Sequence, residues 1–339
     1  MVTIYDVAKR AGVSPATVSR VFSGHANVAQ ARADAVHEAA RELDFVPNRN
    51  ARRLRTNSSE IIAMMVPDIE NPFFTLMTRA VEDVAREAGF SVMLCNTNED
   101  PVREHEYMRV AVSEPVAGVI LVPSPGTNLD LALERSVPVV CADRHALGYE
   151  VDTVVADNKD SSASATRLLY DAGYERIACV TGPDGVETAD MRMAGWALAV
   201  QEHTGAPPDP CLGIRAAYTV EDGERAVRLL MDLPQPPDAI FAANNRLGAA
   251  ALRVLNERGL LPPTVGVVSF GGLPLILLAP LGVLITHLPA RELGHQAARM
   301  LLERINGLAA PARSVTLPVV VGGEGSGIDM IYKAQGSAE

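Results

Sequence analysis

Residues 4–21 read IYDVAKRAGVSPATVSRV, and this stretch decides the fold of the N-terminal part of the chain. Thr3 and Asp6 are spaced as the two partners of a capping box at the start of a helix. Gly12 is placed to end that helix, and the pair Ser14-Pro15 is a typical start for a second helix. The stretch therefore predicts two short helices joined by a tight glycine turn, the helix-turn-helix arrangement.

The residues after this pair of helices complete a small core and carry a positive balance. Residues 30–43 place apolar side chains at helical spacing, which predicts a third helix packed on the first two. Residues 1–60 hold nine Lys or Arg against six Asp or Glu, whereas the whole chain of 339 residues has a net charge of −11. A basic head on an acidic body is expected when one end of a protein binds nucleic acid.

The outward side of the second helix is suited to reading DNA. A recognition helix in the major groove contacts bases from its N-terminal turns, where this chain has Pro15, Ala16 and Arg20, and an arginine can pair bidentately with guanine. Donors suited to phosphate contacts are Tyr5, Thr17, Ser19 and Asn27. The alternative is a solvated three-helix domain in which Arg20 is an ordinary surface charge.

A basic segment follows the third helix, with DFVPNRNARRL at residues 44–54. Pro47 is expected to end the third helix, and one short helix beyond it would carry Ala51 and Leu54 on a common side. So short a helix is marginal in water by itself. Arginines for phosphates and a leucine wedge between bases are what a minor-groove intercalator needs. A basic interdomain linker is the alternative.

Together, these two motifs resemble the DNA-binding head of the LacI/GalR repressor family. The resemblance implies a homodimer on a pseudo-palindromic operator in double-stranded DNA, with hinge helices that become ordered on the DNA. It also implies that Leu54 intercalates in the minor groove with Ala51 beside it. The complete set of predicted DNA contacts is Thr3, Tyr5, Ser14, Pro15, Ala16, Thr17, Ser19, Arg20, Asn27, Asn48, Ala51 and Leu54.

From Ile61 onward, short apolar runs alternate with amphipathic helical stretches, as in residues 61–66 followed by 74–88. Buried strands that alternate with helices predict parallel sheets in an α/β design, with a ligand cleft between two such layers. Landmarks such as NPFF at 71–74 and MRMAGW at 191–196 resemble the periplasmic-binding-protein-like effector domain of the same family. The resemblance extends to about residue 320 and implies two Rossmann-like lobes of type I architecture joined by three crossovers.

The predicted fold is therefore α/β, with a small all-α head in front of two lobes. The predicted domains are a helix-turn-helix domain at 1–46, a hinge helix or linker at 47–57, and an effector-binding and dimerisation domain at 58–339. One lobe is expected to comprise about 58–157 with 287–315, and the other about 158–286 with 316–330. The tail from Tyr332 lacks the leucine-repeat helix that tetramers of the family use, so a dimer is expected.

The resemblance, carried over position by position, implies a site for a small carbohydrate-like effector. Aromatic side chains would pack on its ring, and polar ones would bind its hydroxyls. The aromatic candidates are Phe73, Phe74 and Tyr218, and the polar candidates are Asp143 as acceptor, Arg192 as donor and Asn244 as both. Two have an alternative role, since Asp143 can cap the turn after its strand and Phe73 can belong to the core.

Departures from the family pattern concentrate on or near one side of the predicted cleft. Gly271 stands where a carboxylate commonly binds sugar hydroxyls, Leu288 stands for glutamine, Asn245 for aspartate and Gly322 for arginine. A site built for hydroxyls loses affinity strongly when a polar partner is absent. We therefore expect an effector other than an ordinary aldohexose, or a weak or lost response. In the head, Ala29 replaces the serine that usually caps the third helix.

Other classes of function lack their motifs in this sequence. No GxGxxG opens a helix after a strand, and GxSxG, HExxH and P-loop motifs are absent, so no enzyme and no cofactor are predicted. The four cysteines are far apart with no histidine at ligand spacing, which predicts neither disulfides nor a metal site. No signal peptide opens the sequence, so a cytoplasmic protein outside the membrane is expected. The body alone would also suit a solute-binding protein.

Overall fold

The chain divides into two compact units, residues 1–59 and residues 60–339. The computed structural model describes residues 2–22, 28–45, 59–114, 116–273 and 282–322. Within these ranges, no helix combines the length and the apolar character that crossing a bilayer requires.

The described part of the first unit contains three helices, α1 (Ile4–Ala11), α2 (Pro15–Phe22) and α3 (Gln30–Glu42). The predicted capping box is present, since the Thr3 backbone N–H donates to the Asp6 carboxylate at 2.8 Å and Thr3 Oγ1 accepts from the Asp6 N–H. Gly12 ends α1 in the left-handed conformation with φ 66°. The buried core includes Val7, Val18 and Val36. These local signals confirm the predicted helix-turn-helix head.

The second unit consists of two lobes, each built around a sheet in which six strands are described. The first sheet has the order β11-β5-β4-β3-β1-β2, and all its strand pairs are parallel. Its strands are β1 (Ile61–Val66), β2 (Ser91–Asn96), β3 (Gly118–Leu121), β4 (Val139–Ala142), β5 (Asp152–Ala156) and β11 (Ser314–Leu317). The helices of this lobe are α4 (Pro72–Glu87), α5 (Pro101–Ser113), α6 (Asp130–Glu134) and α11 (Ala290–Ile305).

Side chains of β1 show why this sheet needs helices on both faces. Ile62, Met64 and Val66 belong to one apolar core, whereas Ala63 and Met65 belong to another on the opposite face. Successive side chains of a strand point to opposite faces, so a continuous apolar run is buried on both sides. The apolar run therefore correctly predicted a sheet that is covered on both faces.

The second sheet has the order β12-β10-β9-β8-β6-β7 and is parallel except for the antiparallel pair of β10 and β12. Its strands are β6 (Ile177–Thr181), β7 (Gly213–Arg215), β8 (Ala239–Ala242), β9 (Gly266–Phe270), β10 (Val283–His287) and β12 (Val320–Val321). Its helices are α7 (Lys159–Asp171), α8 (Glu187–Thr204), α9 (Val220–Met231) and α10 (Asn245–Glu257), with a short 3₁₀ turn at Pro210–Leu212.

The described chain passes between the lobes three times, after β5, after β10 and after β11. The last passage lies between Leu317 and Val320, slightly beyond the position expected from the sequence at 315/316. Strand β11 stays in the first sheet through Leu317, which pairs with Ala156. The expected boundary would have divided a continuously paired strand.

Candidate functional site

A cavity of about 690 Å³ lies between the two lobes, next to the carboxyl ends of several strands. Parallel sheets bind ligands at this edge because the loops that follow their strands converge there. The residues predicted to contact a ligand all line this cavity; they are Phe73, Phe74, Asp143, Arg192, Tyr218 and Asn244.

Asp143 follows β4, and only 3% of it is accessible to solvent. An ionised carboxylate is costly to bury in this way unless it is paired. Its Oδ1 atom has no hydrogen-bond partner among the described residues, and its Oδ2 atom lies 3.6 Å from Arg144 Nε. Burial raises the pKa of this carboxyl, while the charges of Arg144 and Arg192 oppose the shift. No described backbone N–H donates to it, so the alternative role as a turn cap is wrong.

Arg192 projects from α8 and is held in place by its surroundings. Its Nε donates to Asn158 Oδ1 and its Nη1 donates to the Ala243 carbonyl, both at 2.8 Å. The guanidinium carbon lies 4.6 Å from the centroid of the Phe270 ring, within range of a cation–π contact. A fixed guanidinium that lines the cavity, and whose Nη2 is bonded to neither of these acceptors, is suited to donate to a ligand oxygen.

Asn244 is the N-cap of α10, which restricts what it can offer a ligand. Its Oδ1 accepts from the Leu247 N–H at 2.7 Å. The oxygen is therefore committed to the helix, and the structure favours the donor half of the predicted role. Tyr218 packs its ring against Gly182, where any side chain would overlap it. Burial raises the pKa of this phenol, so it stays a neutral donor.

Phe73 and Phe74 meet edge to face, with ring centroids 5.1 Å apart. Phe74 is 6% exposed and belongs to the core of the first lobe, whereas Phe73 is half-buried. The sequence allowed a role for Phe73 in the core. In the structure Phe74 is the buried core residue, and Phe73 packs against that core. The reason is geometric, because neighbouring residues on a helix point about 100° apart.

Direct bonds join the lobes on either side of this cavity. Asn245 Nδ2 donates to Asn71 Oδ1 at 3.0 Å, and Arg246 Nη2 lies 2.7 Å from Asp68 Oδ2. At a separate point, the backbone N–H of His145 donates to Glu187 Oε2 at 2.6 Å. The structure therefore shows the two lobes in contact with each other through their own side chains.

In the head, the residues predicted to contact DNA differ in exposure and in local bonding. Tyr5 is 70% exposed, Ala16 and Arg20 are exposed, and no hydrogen bond or ion pair engages Arg20 within residues 2–22 and 28–45. Three more use their hydroxyls locally: Thr3 donates to the Asp6 carboxylate at 2.7 Å, and the Ser14 and Thr17 hydroxyls are 2.9 Å apart. Pro15 and Ser19 are half-buried. Asn27, Asn48, Ala51 and Leu54 lie outside the described residues.

Comparison with known proteins now decides the family. Residues 59–322 match the family described as periplasmic binding proteins and sugar binding domain of the LacI family. Residues 3–48 match the bacterial regulatory proteins of the lacI family. The chain belongs to the LacI family.

Relatives of this LacI-family chain are similar to it along most of its length. The ribose operon repressor of Halalkalibacterium halodurans is 33% identical over 90% of this chain and 91% of its own. The transcriptional repressor CytR of Escherichia coli K12 is 31% identical and covers 90% of both chains. Because these relatives are DNA-binding transcription regulators, this LacI-family chain is a transcription regulator and not an enzyme.

Solved structures of similar fold extend the comparison. The transcriptional regulator CelR in complex with cellobiose has a TM-score of 0.71 at 28% identity, covering 95% of this chain and 99% of its own. The Lac repressor dimer bound to operator has a TM-score of 0.83 at 23% identity, covering 95% and 98% of the two chains, and supports the fold.

Positions that depart from the LacI-family pattern mostly lie at the cavity. Gly271, Leu288 and Asn245 line it, whereas Gly322 does not. Gly271 has a φ of 109°, its N–H donates to Thr286 Oγ1 and its carbonyl accepts from Ser269 Oγ. A residue with a Cβ atom would be strained there. The backbone conformation at position 271 therefore requires glycine. The change from the family pattern is thus a change of backbone conformation as well as the loss of a carboxylate.

Sequence reasoning missed several charged residues at the cavity. Arg144 is buried and makes a bidentate pair with Glu99, with both distances 2.7 Å. Arg246 lies in the first turn of α10, where the helix dipole disfavours a cation. An arginine at the N-terminus of a predicted helix could have been noticed in the sequence, because it indicates an acidic partner outside that helix. The partner in the structure is Asp68. Within the described ranges, no group of His, Cys, Asp and Glu could hold a metal ion.

Proposed function

We propose that the chain is a repressor that binds a pseudo-palindromic operator as a homodimer and responds to a small carbohydrate-like ligand in the inter-lobe cavity. In this proposal residues 1–46 read DNA, residues 47–57 form the hinge, and residues 58–339 bind the ligand and the second copy. One observation carries the ligand part: the unpaired carboxylate oxygen of Asp143, the fixed guanidinium of Arg192 and the Tyr218 ring line one cavity.

The DNA part is supported by the free outer surface of α2. Arg20 is exposed and Ala16 beside it presents a small surface, so the helix can approach base edges closely. Tyr5 adds an exposed phenol for a phosphate contact. Leu54 and Ala51 keep their predicted role in the minor groove as part of the proposal. The sugar part is supported by CelR, whose structure contains cellobiose.

The homodimer part is supported by a groove on the first lobe between α4 and the edge strand β2. The groove is lined by Val66, Ile69, Phe74, Thr75, Thr78, Arg79, Glu82 and Leu94. Ile69 is 47% exposed and Leu94 is 46% exposed. Exposed apolar side chains beside a strand edge that no other described strand pairs with are typical of protein contacts. A second copy of the chain is the proposed occupant.

Ligand and DNA would act on each other through the relative position of the lobes. A ligand that binds one arrangement of the lobes more tightly changes how the two first lobes of a dimer are spaced. That spacing decides whether both heads and hinges fit one operator. By linkage, the ligand and the DNA then change each other's affinity by the same factor, typically about 5- to 150-fold.

Selection of the full-length protein from a random DNA pool at near-physiological salt tests the proposal. We expect an enriched palindrome with a central step that kinks readily. Arg20→Ala should relax the preference at one base position in each half-site. The expected loss of discrimination between the preferred base and the others there is about 1–3 kcal/mol. Arg32→Ala, an exposed change on α3, is the matched control and should leave the base preferences unchanged. Salt-sensitive binding without any enriched sequence would contradict the proposal.

One observation favours a weaker ligand response as the second candidate. The Asn245–Asn71 and Arg246–Asp68 bonds join the lobes through the chain's own residues. A ligand that stabilises this same arrangement of the lobes would then add less to it.

A further inference from the structure

The first of the three crossovers between the lobes, from β5 to α7, differs from the other two in how it is restrained. The second crossover contains Pro289 and the third contains Pro318, and a proline ring restricts the backbone φ angle. The first crossover consists of Asp157 and Asn158 and has no proline. Its conformation therefore depends more strongly on hydrogen bonds.

The side chain of Asn158 forms hydrogen bonds on both sides of this crossover. Its Nδ2 donates to the Ala156 carbonyl at 3.0 Å, at the end of β5 in the first lobe. Its Oδ1 accepts from Arg192 Nε at 2.8 Å, on α8 of the second lobe. The two partners fix the orientation of the carboxamide, because a carbonyl only accepts and a guanidinium only donates. One amide therefore links a first-lobe strand to a second-lobe helix.

Arg192 extends this link to the inter-lobe cavity. Its Nη1 donates to the carbonyl of Ala243, directly after β8, and its guanidinium lies over the Phe270 ring. Arg192 lines the cavity, and its Nη2 is bonded to neither Asn158 nor Ala243. Asn158 does not line the cavity. An effect of Asn158 on a bound ligand must therefore pass through Arg192.

Burial makes these hydrogen bonds costly to break. Asn158 is 7% exposed, Arg192 is 5% exposed and Ala156 is 4% exposed. A buried polar group that loses its partner costs more free energy than the bond contributes on average, and a buried cation costs most. When the lobes rotate about the crossover, we expect Asn158 and Arg192 to move together and keep their bond.

We infer that Asn158 is a positioning residue that couples the Arg192 guanidinium to the first crossover. The inference rests on the proposed function, because it gives the ligand of that proposal a route to the arrangement of the lobes. A ligand oxygen that binds Arg192 fixes the guanidinium and, through Asn158, the backbone torsions of residues 156–158. A ligand that does not contact Arg192 lacks this route.

Electron spin resonance between labels at Glu106 and Arg225 tests the coupling in the full-length protein. Both positions are exposed and lie on different lobes, and the exposed Cys211 is replaced by serine so that it takes no label. Asn158→Ala removes both bonds and should broaden the distance distribution. The population outside the wild-type range should rise about fivefold, as expected for the loss of one net hydrogen bond. A wild-type distribution would overturn the inference.

Thr181→Val is the matched control for the loss of a buried hydrogen bond. Thr181 Oγ1 donates to the Ala189 carbonyl at 3.0 Å, so this bond also joins a strand of the second lobe to α8. It does not reach the crossover. The variant should therefore keep the wild-type distance distribution, and broadening equal to that of Asn158→Ala would contradict a specific role for Asn158.

Asn158→Asp separates the two hydrogen bonds of the amide. The carboxylate still accepts from Arg192, but it cannot donate to the Ala156 carbonyl, and two facing acceptors repel. We expect a broadened distribution, as in Asn158→Ala. A wild-type distribution would show that the bond to the first lobe is not needed, which overturns the coupling across the crossover.

Arg192→Met separates a positioning role of Asn158 from a purely structural one. This substitution removes the donor to Asn158 and should by itself broaden the distance distribution. In the Arg192→Met background, Asn158→Ala should add no further change, because the link is already broken. Equal changes in both backgrounds would mean that Asn158 restrains the crossover by itself, which contradicts the positioning role.

A separate DNA measurement distinguishes this inference from the proposed function, because the distances require neither ligand nor DNA. The same protein preparations are tested for binding to the selected palindrome. Specific binding together with unchanged distances in the Asn158 variants overturns the coupling alone. Absence of specific DNA binding, with the expected distances, contradicts the regulatory function and leaves the coupling standing.

Discussion

At the scale of single residues, Asp152 shows how one buried carboxylate holds a lobe together. Its oxygens accept from Arg304 at 2.6 and 2.9 Å and from Arg313 at 2.8 Å. These arginines belong to the part of the chain that returns to the first lobe after passing through the second. Although burial raises it, the hydrogen bonds from Arg304 and Arg313 lower the pKa of Asp152 to about 2.

Asp152→Asn should therefore destabilise the protein at neutral pH by about 2.5 kcal/mol. A carboxyl whose pKa is lower in the folded state stabilises it fully above the unfolded pKa of 3.8. That stabilisation is lost as the pH falls through about 2. Urea denaturation at several pH values should show the difference from wild type shrinking below about pH 4. Glu134→Gln, at an exposed carboxylate, serves as control, and an equally stable Asp152→Asn protein would refute the role.

At the scale of elements, helix caps differ along the chain. Thr3 caps α1 and Asn71 caps α4 through side-chain hydrogen bonds, whereas Ala29 at the start of α3 makes none. The backbone of Ala29, with φ −57° and ψ 135°, is already in an extended conformation of the kind that capping residues adopt. The site lacks only a side-chain oxygen.

Ala29→Ser is expected to stabilise α3 by about 1 kcal/mol. Hydrogen exchange of the α3 amides measures this gain, as protection about fivefold higher than in wild type. Ala31→Ser places the same side chain inside the helix, where serine cannot cap, and should give no gain. Equal protection in both variants would show that the missing cap is unimportant.

The N-terminus of α10 is the second element with a specific task, because Asn245 and Arg246 reach across to the first lobe. Asn245→Asp replaces the donor by a carboxylate that faces Asn71 Oδ1, which also accepts from the Phe73 N–H. Two acceptors repel, so the lobes should separate in the absence of ligand.

Electron spin resonance between labels at Glu106 and Arg225, which are exposed and on different lobes, measures this separation. We expect a longer and broader distance distribution in Asn245→Asp than in wild type. Asn256→Asp, an exposed change on the same helix, should keep the wild-type distribution. An unchanged distance in Asn245→Asp would mean that other contacts, such as His145 with Glu187, suffice to hold the lobes.

At the scale of the whole molecule, the proposed homodimer depends on the groove between α4 and β2. Leu94→Asp places a charge in that groove and should produce monomers in sedimentation experiments. Operator affinity should then fall by at least about 100-fold, because one head loses the second head's contribution. Leu133→Asp on α6, at 44% exposure against 46% for Leu94, is the matched control and should stay dimeric. A dimeric Leu94→Asp protein would place the interface elsewhere.

Much of the architecture could be predicted because it follows from local patterns. The capping box at Thr3 and Asp6, the stop at Gly12 and the start at Ser14-Pro15 act within a few residues of themselves. The apolar run of β1 is buried on both faces, which parallel sheets between helices require. The cavity residues could be predicted from the family resemblance, and they converge because strand ends meet at one edge.

The tertiary structure decided which atoms of those residues are free. The Asn244 Oδ1 atom accepts from the first turn of α10, and Phe74 packs in the core. The Oδ1 atom of Asp143, in contrast, has no partner among the described residues. The bond between Asn71 and Asn245 joins residues 174 positions apart. Such a contact depends on the packing of two separate lobes, and neither helix propensity nor apolar spacing carries information about it.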